Sequence, residues 1–338
     1  MRGNRDEIVA SVMADCLAEA SLTGSLLCAF DETGKVEEAA TQAGLVCQTW
    51  SRNELPWPPE AAADNVALRL PKGREALLMS LHAVLSRATP GARVFVFGAN
   101  DEGIRSADKP LSGWLEDLYA LETKRHSRVW SGTLAKDAGP FRSKLSDWEE
   151  ALEIDAPGGP LRLISLPGLF AHGRLDPGTR LLLEWLEELP RPKPGARMLD
   201  FGCGAGTISL AFARRCEDAE IHCVDRDALA IHAAQLNLPN ASLHLGDGWS
   251  AVPEALRFDL IASNPPLHSG KDQDLRGLVQ LIEGSRRRLT KRGRLALVTQ
   301  RPLPVGSLLD ERFAHVDVAR ESRSFRVWVA SGLKRREG

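Results

Sequence analysis

At 338 residues the chain exceeds the roughly 100–200 residues that one core usually organises, so two domains are expected, and a hydrophobic share of 43% fits globular interiors. Lysine plus arginine (43) nearly balances aspartate plus glutamate (45), which excludes an overall basic field and leaves any nucleic-acid partner to a local patch. Cys16, Cys28, Cys47, Cys203, Cys216 and Cys223 lack disulfide-framework or zinc-type spacing, no apolar run approaches the roughly 20 residues of a membrane helix, and Arg5, Asp6 and Glu7 stand where a secretory signal is apolar, so a soluble cytoplasmic monomer without metal or membrane partner is expected.

From Arg5 to Ala20 apolar residues recur at helical spacing, and Leu26 to Phe30 is a short apolar run suited to a buried strand, closed by the turn Asp31-Glu-Thr-Gly34. Leu55 to Pro59 reads as a proline-rich loop, followed by a strand at Asn65 to Leu70 and a helix at Arg74 to Arg87 that Pro90-Gly91 ends. Arg93 to Phe97, rich in valine and phenylalanine, is a buried strand leading into the loop Gly98 to Gly103. Strand and helix alternate, so this half reads as α/β. Glycine, proline and charge then cluster between Lys136 and Pro160 around Trp148, which places a boundary near residue 146 and gives domains 1–145 and 146–338.

After the apolar run Leu161 to Leu166, Asp176-Pro-Gly-Thr179 is a helix start, with Asp176 suited to cap orphan amides and Pro177 to the first turn, and Leu181 to Leu189 forms the helix body. Beyond it the period is short: strand Arg197 to Phe201, helix Thr207 to Arg215, strand Ile221 to Asp225, helix Ala228 to Asn237, strand Ser242 to Leu245. A strand at Phe258 to Ser263, a helix at Leu275 to Leu289 and a strand at Arg294 to Thr299 follow. Val316 to Ala319 and Phe325 to Ala330 are joined too briefly for a crossover helix and form an antiparallel pair at the sheet edge. The pattern is a doubly wound, seven-stranded sheet with an antiparallel edge strand.

The strongest chemical signal is Leu199-Asp-Phe-Gly-Cys-Gly-Ala-Gly206, an apolar strand running into three alternating glycines before a helix. A backbone approaches a ligand closely only where Cβ is absent. The spacing of Gly202, Gly204 and Gly206 is not the G-x-G-x-x-G that seats a pyrophosphate, and it favours a nucleoside without phosphate. Asp225 closes the next strand, where a carboxylate accepts ribose hydroxyls, and Asp247 with Gly248 follows the third strand, suited to an adenine amine. Asp200 and the three glycines complete the expected cofactor site.

The second signal is Asn264-Pro-Pro-Leu267, directly after the fourth strand and at the carboxyl edge where such sheets bind ligands. Pro265 and Pro266 fix the backbone and remove two amide donors, leaving acceptors. The Asn264 side-chain oxygen and the Pro265 carbonyl together can grip an exocyclic amine and aim its lone pair at a sulfonium methyl without a strong base. The expected activity is methyl transfer from S-adenosyl-L-methionine (AdoMet). Arg286-Arg-Arg288 with Lys291, Arg292 and Arg294 reads first as a solvated, dipole-compensating helix end and second as a phosphate contact, and His172 and His268 read as structural.

With both motifs in place the chain resembles the ribosomal RNA small subunit methyltransferase C family. Arg93 to Ser106 looks like that family's non-catalytic domain, and Leu166-Pro-Gly-Leu-Phe170, Leu175-Asp-Pro-Gly178, the glycine loop, Asn264-Pro-Pro and Phe325-Arg-Val-Trp328 match in order. The resemblance implies two tandem Rossmann-like methyltransferase domains, the first degenerate. It also implies methylation of a guanine N2 amine in 16S rRNA, with the small ribosomal subunit or its RNA as partner and the base flipped from its stack. Family members carry an aromatic after the two prolines, and here Leu267 stands in its place. Base stacking on an aromatic contributes about 1–3 kcal/mol, so a changed target, a substitute aromatic such as Trp249, or lost activity would follow. Other acceptors, a base amine or a protein glutamine, and a non-catalytic AdoMet-binding assembly factor are the competing readings.

Overall fold

The computed structural model describes residues 2–265 and 272–334. It divides into two compact units, Met1–Glu149 and Glu150–Gly338. Trp148 belongs to the first: it is buried, packs edge-on against His82 and lies under the Arg142 guanidinium.

The first unit runs α1 (Arg2–Glu19), β1 (Ser25–Ala29), α2 (Lys35–Gln42), β2 (Val46–Trp50), β3 (Ala63–Arg69), α3 (Arg74–Leu85), β4 (Ala88–Ala99), the single turn α4 (Asp108–Leu111), β5 (Leu115–Lys124) and β6 (Ser127–Leu134). Its sheet order is β2-β1-β3-β4-β6-β5, parallel except where β6 meets β4 and β5. Three of these strands are absent from the sequence-based expectation. β2 carries Cys47, Gln48 and Thr49 at an edge, and β5 reads Leu-Glu-Asp-Leu-Tyr, so neither presents the apolar run that marks a strand buried on both faces. β6, which lies between β4 and β5, is punctuated by Arg128, Ser131 and Gly132.

The second unit begins with the antiparallel pair β7 (Glu150–Ile154) and β8 (Leu161–Ser165), then α5 (Pro177–Glu188), β9 (Arg197–Phe201), α6 (Thr207–Arg215), β10 (Glu220–Asp225), α7 (Ala228–Asn237) and β11 (Ser242–Leu245). It continues with β12 (Phe258–Ser263), α8 (Asp272–Arg288), β13 (Leu289–Gln300), α9 (Val305–Asp310), β14 (Phe313–Glu321) and β15 (Phe325–Leu333). The seven-stranded sheet has the order β11-β10-β9-β12-β13-β15-β14; five strands are parallel, and the antiparallel pair ends it with β14 outermost. Leu182, Leu183, Phe212 and Ile208 from α5 and α6 cover one face against Met198, Ala262 and Val298. Leu278, Leu281, Ile282, Val305 and Leu309 from α8 and α9 cover part of the other against Leu199, Ile261 and Leu297. Each such side chain, fully buried, contributes roughly 1.5–3 kcal/mol.

From β9 the chain moves outward to β10 and β11, then crosses to the opposite side for β12 and β13. The carboxyl ends of β9 and β12 therefore flank a topological switch point, the crevice where an open α/β sheet takes its ligand. A hydrogen bond from Ser263 Oγ to the Phe201 carbonyl (2.6 Å) ties the two strand ends together there.

Candidate active site

Beyond β9 the backbone turns through Gly202, Gly204 and Gly206 with φ of 75°, 54° and 82°. That left-handed region costs an L-residue about 1–2 kcal/mol, which is why glycine is required at these positions. The three differ in what surrounds them. A Cβ on Gly202 or Gly204 would enter open space, whereas one on Gly206 would lie 2.9 Å from Leu238 Cδ1. The first two leave backbone open to a ligand, and the third lets the start of α6 pack close to the end of α7. Asn237 braces the same loop, donating through Nδ2 to the Ala205 and Ile164 carbonyls (2.8 Å each).

Asp225, at the end of β10, accepts from the Gly204 amide through Oδ2 (2.9 Å) and from the Asp227 amide through Oδ1 (3.0 Å). Burial raises its proton affinity, and the two amides oppose that rise. Asp200 is placed differently. It is 0% exposed and its Oδ2 accepts from the amide (3.1 Å) and hydroxyl (3.0 Å) of Ser209 on α6, while Oδ1 is buried without a partner. Burial pushes its pKa up to about 7 against the lowering effect of the Ser209 bonds. Its carboxyl thus clamps strand to helix beneath the loop.

Asp247 is exposed after β11, and Gly248 (φ 56°) lies where a Cβ would come within 2.9 Å of the Phe201 ring. Trp249 follows, its ring centroid 5.0 Å from that of Phe201 and its Nε1 donating to the Leu281 carbonyl of α8 (3.3 Å). The indole is wedged against Gly284, where any Cβ would collide with it, and the Arg288 guanidinium lies 5.4 Å from the ring centroid. Trp249, one of the alternatives raised for the missing aromatic, is engaged in this packing, and Leu267 itself lies outside the described residues.

Asn264 is half-buried at the end of β12. Its Nδ2 donates both to Asp176 Oδ2 (2.9 Å) and to Thr179 Oγ1 (2.9 Å), and the same Asp176 oxygen caps α5 by accepting from the Thr179 amide (2.9 Å). Both amide protons are thereby engaged, so Oδ1 is the end of the carboxamide left to accept. The sequence marks Asp176 only as a helix cap; its second duty, to a residue 88 positions away, has no local signal. Pro265 is described and half-buried, whereas Pro266, Leu267 and His268 lie outside the described residues. His172 is bound on both sides, Nδ1 to Ser165 Oγ (2.9 Å) and Nε2 near Glu150 (3.3 Å), as expected of a structural histidine. Between it and buried Leu169 stands Phe170, 68% exposed, in the turn that leads to Asp176.

The first unit repeats the strand order of the second without the outermost β11. Phe30 N donates to the Trp50 carbonyl (2.9 Å) as Gly202 N donates to the Val224 carbonyl (2.8 Å), so Phe30, with φ 65°, occupies the position of the first glycine. Its ring packs 4.5 Å from that of Trp50, with Trp57 behind at 6.0 Å. The place at the end of β1 that corresponds to the open glycine loop is filled by aromatic side chains.

Among the described residues no group of histidine, cysteine or carboxylate side chains is placed to hold a metal ion, and no helix is long and apolar enough to cross a membrane. Family models match in tandem, the methyltransferase small domain N-terminal model over residues 25–151 and the methyltransferase small domain over residues 160–329. Proteins named ribosomal RNA small subunit methyltransferase C from Pseudomonas entomophila and Pseudomonas putida are each 36% identical over 277 residues, 81% of this chain and 80% of theirs. The protein of that name from Hahella chejuensis is 34% identical over 292 residues, 85% of this chain and 83% of its own. Among solved structures, a 16S rRNA N2 methyltransferase of T. thermophilus, in complex with AdoMet and guanosine, has the same fold, with a TM-score of 0.78 at 24% identity over 95% of this chain and 92% of that one.

Proposed function

The chain belongs to the ribosomal RNA small subunit methyltransferase C family, and from that premise we propose that it transfers the methyl group of AdoMet to the exocyclic N2 amine of a guanine in 16S rRNA. The observation that carries this reading is the carboxamide of Asn264, tethered through Nδ2 at the switch point with no described residue donating to its Oδ1, beside an open glycine loop.

AdoMet, when bound, supplies a methyl group activated by its sulfonium. Gly202 and Gly204 would leave backbone open to its nucleoside end, Asp225 would accept from the ribose hydroxyls, and Asp247 with Gly248 would contact the adenine. Asp200 acts from beneath, fixing the loop through Ser209. Asn264 Oδ1 and the Pro265 carbonyl accept the two protons of the target amine, with Pro266 and Leu267 completing the same loop. The guanine N2 lone pair is delocalised into the ring, and two acceptors fixed in space hold the amine turned so that the pair points at the methyl. Methyl transfer would use that pair for the N–C bond and leave the S–C pair on sulfur, with the proton lost from nitrogen passing to solvent, so these residues would need to supply no strong base.

The first unit takes a non-catalytic part in this reading, supported by the aromatic filling at Phe30 and Trp50. The test is transfer of labelled methyl from AdoMet to unmodified small subunits, large subunits and their naked RNAs, with Asn264→Ala as control. Label on 16S rRNA, released as N2-methylguanosine and lost in the variant, is expected. Label on protein, or on none of these acceptors with cofactor binding intact, overturns the proposal.

A further inference from the structure

The C-terminal turn of α8 faces a cleft of about 220 Å³ lined by Trp249, Glu254, Arg257, Gly284, Arg287 and Arg288. Arginines at the end of a helix ordinarily offset its dipole, but Arg257 is not on that helix. It comes from the segment before β12 and converges on the same cleft. Two of the three guanidinium groups are fixed by backbone. Arg288 Nη1 donates to the Pro253 (2.6 Å) and Val252 (3.3 Å) carbonyls, and Arg257 Nη1 donates to the Glu254 and Leu256 carbonyls (2.9 Å each). Arg287 is exposed and makes no ion pair or hydrogen bond among the described residues. Neither Arg257 nor Arg288 forms an ion pair with Glu254 among the described residues, so three cations share the cleft with one carboxylate. Burial lowers the proton affinity of Arg288, Glu254 opposes this, and Arg257 adds a smaller lowering. Lys291 and Arg292, exposed at the start of β13, extend the same sign beside β12, where Leu289 pairs with Phe258.

We propose that this cleft is a phosphate-binding subsite for the RNA substrate, in which Arg257, Arg287 and Arg288 receive one backbone phosphodiester. Guanidinium N–H forks match phosphate oxygens, and a phosphodiester supplies negative charge to a cleft that holds three cations and one carboxylate. The subsite rests on the RNA-methyltransferase reading for its ligand, and its location is separate from the catalytic residues: its floor is the Trp249 indole lodged against Gly284, on the α8 side of the sheet. RNA held there would be positioned without being read, since backbone contacts carry no sequence information.

The experiment measures equilibrium binding of an unmodified 16S rRNA transcript to the full chain over a range of salt, for wild type, Arg287→Glu, Arg287→Lys and Arg162→Glu. Arg162, exposed on β8 and paired with Glu153, controls for the change in net charge. Arg287→Glu is expected to bind about tenfold more weakly, with the slope of log affinity against log salt reduced by about 0.7–0.9 for the lost phosphate contact, and to raise KM with kcat unchanged. Arg287→Lys retains most of the affinity. Equal binding and equal salt slopes in wild type and Arg287→Glu, or losses matched by Arg162→Glu, overturn the subsite. Because binding is read without turnover, a wild type that binds the transcript yet methylates no RNA refutes the activity and leaves the subsite to be judged on its own result.

Discussion

Asp176 offers the sharpest test of how the site is held, because one carboxylate oxygen does two separable jobs. It caps α5 through the Thr179 amide and it fixes the Asn264 carboxamide, each at 2.9 Å. Asparagine caps as well as aspartate, so Asp176→Asn keeps the cap and should cost in stability only what the bond to Asn264 loses. The bond to Asn264, however, falls from a charge-assisted one worth roughly 1.5–3 kcal/mol to a neutral one near 1 kcal/mol. Thr179 Oγ1 still holds Nδ2, so the loss is partial. A loss of about 0.5–2 kcal/mol in holding the amide in its transition-state orientation lowers kcat roughly 2- to 30-fold, with the AdoMet Kd unchanged. Asp176→Ala removes both bonds and should cost about 2–4 kcal/mol, lowering Tm by several degrees as well as kcat. The assay pairs thermal unfolding with steady-state methyl transfer on the RNA acceptor. Wild-type kcat in Asp176→Asn, or losses in kcat that merely follow Tm across both variants, would refute the claim that this carboxylate orients the amide.

Gly206→Ala forces a Cβ onto Leu238 at a left-handed position and should lower the free energy of unfolding by about 2–4 kcal/mol, more than the same change at Gly202, where strain acts without collision; equal losses would show that packing is not what distinguishes them. Asp200, with its pKa raised to about 7, keeps a proton that the unfolded chain releases near pH 4, so its contribution to stability is full below about pH 4 and declines as pH rises toward 7. Urea unfolding across that range should therefore show wild type losing stability relative to Asp200→Asn, and parallel pH profiles would contradict the burial effect. His222, stacked on His244 and lowered to about 4 by burial first and His244 second, acts with the opposite slope: its contribution is full above about pH 6.5 and lost as pH falls toward 4, a fall that His222→Gln should flatten. Phe170 is left 68% exposed between buried Leu169 and the anchored His172, in the turn leading to Asp176, and is expected to stack on an RNA base. Phe170→Ala should raise the RNA KM roughly 5- to 150-fold, for about 1–3 kcal/mol of stacking, while Phe170→Trp preserves it; an unchanged KM would count against this role.

The sequence by itself determined the alternation of strand and helix in the second half, the two loops at the carboxyl edge and the residues with chemical potential in them. These are local properties. An apolar run followed by glycines or prolines states what the backbone may do and which face is dry, and neighbours suffice to encode that. The edge strand β2 and the β5–β6 hairpin escaped notice for the converse reason, since β2 and β5 carry side chains that face water and β6, though covered, is broken by Arg128, Ser131 and Gly132, so none leaves an apolar run. Tertiary structure alone decided what each site residue meets. Gly202 and Gly206 are alike in sequence and in φ, yet one faces open space and the other Leu238. Asp200 and Asp225 are both strand aspartates, yet one is sealed against Ser209 while the other binds the loop amide. Phe30 is an ordinary strand-end phenylalanine until register sets it on the position of Gly202 in the other unit. Asp176 reaches Asn264 only because α5 packs beside the sheet and brings its N-terminus to the end of β12, closing 88 residues of chain. Such contacts depend on which distant segments the cores draw together, and no pattern local to either residue carries that information.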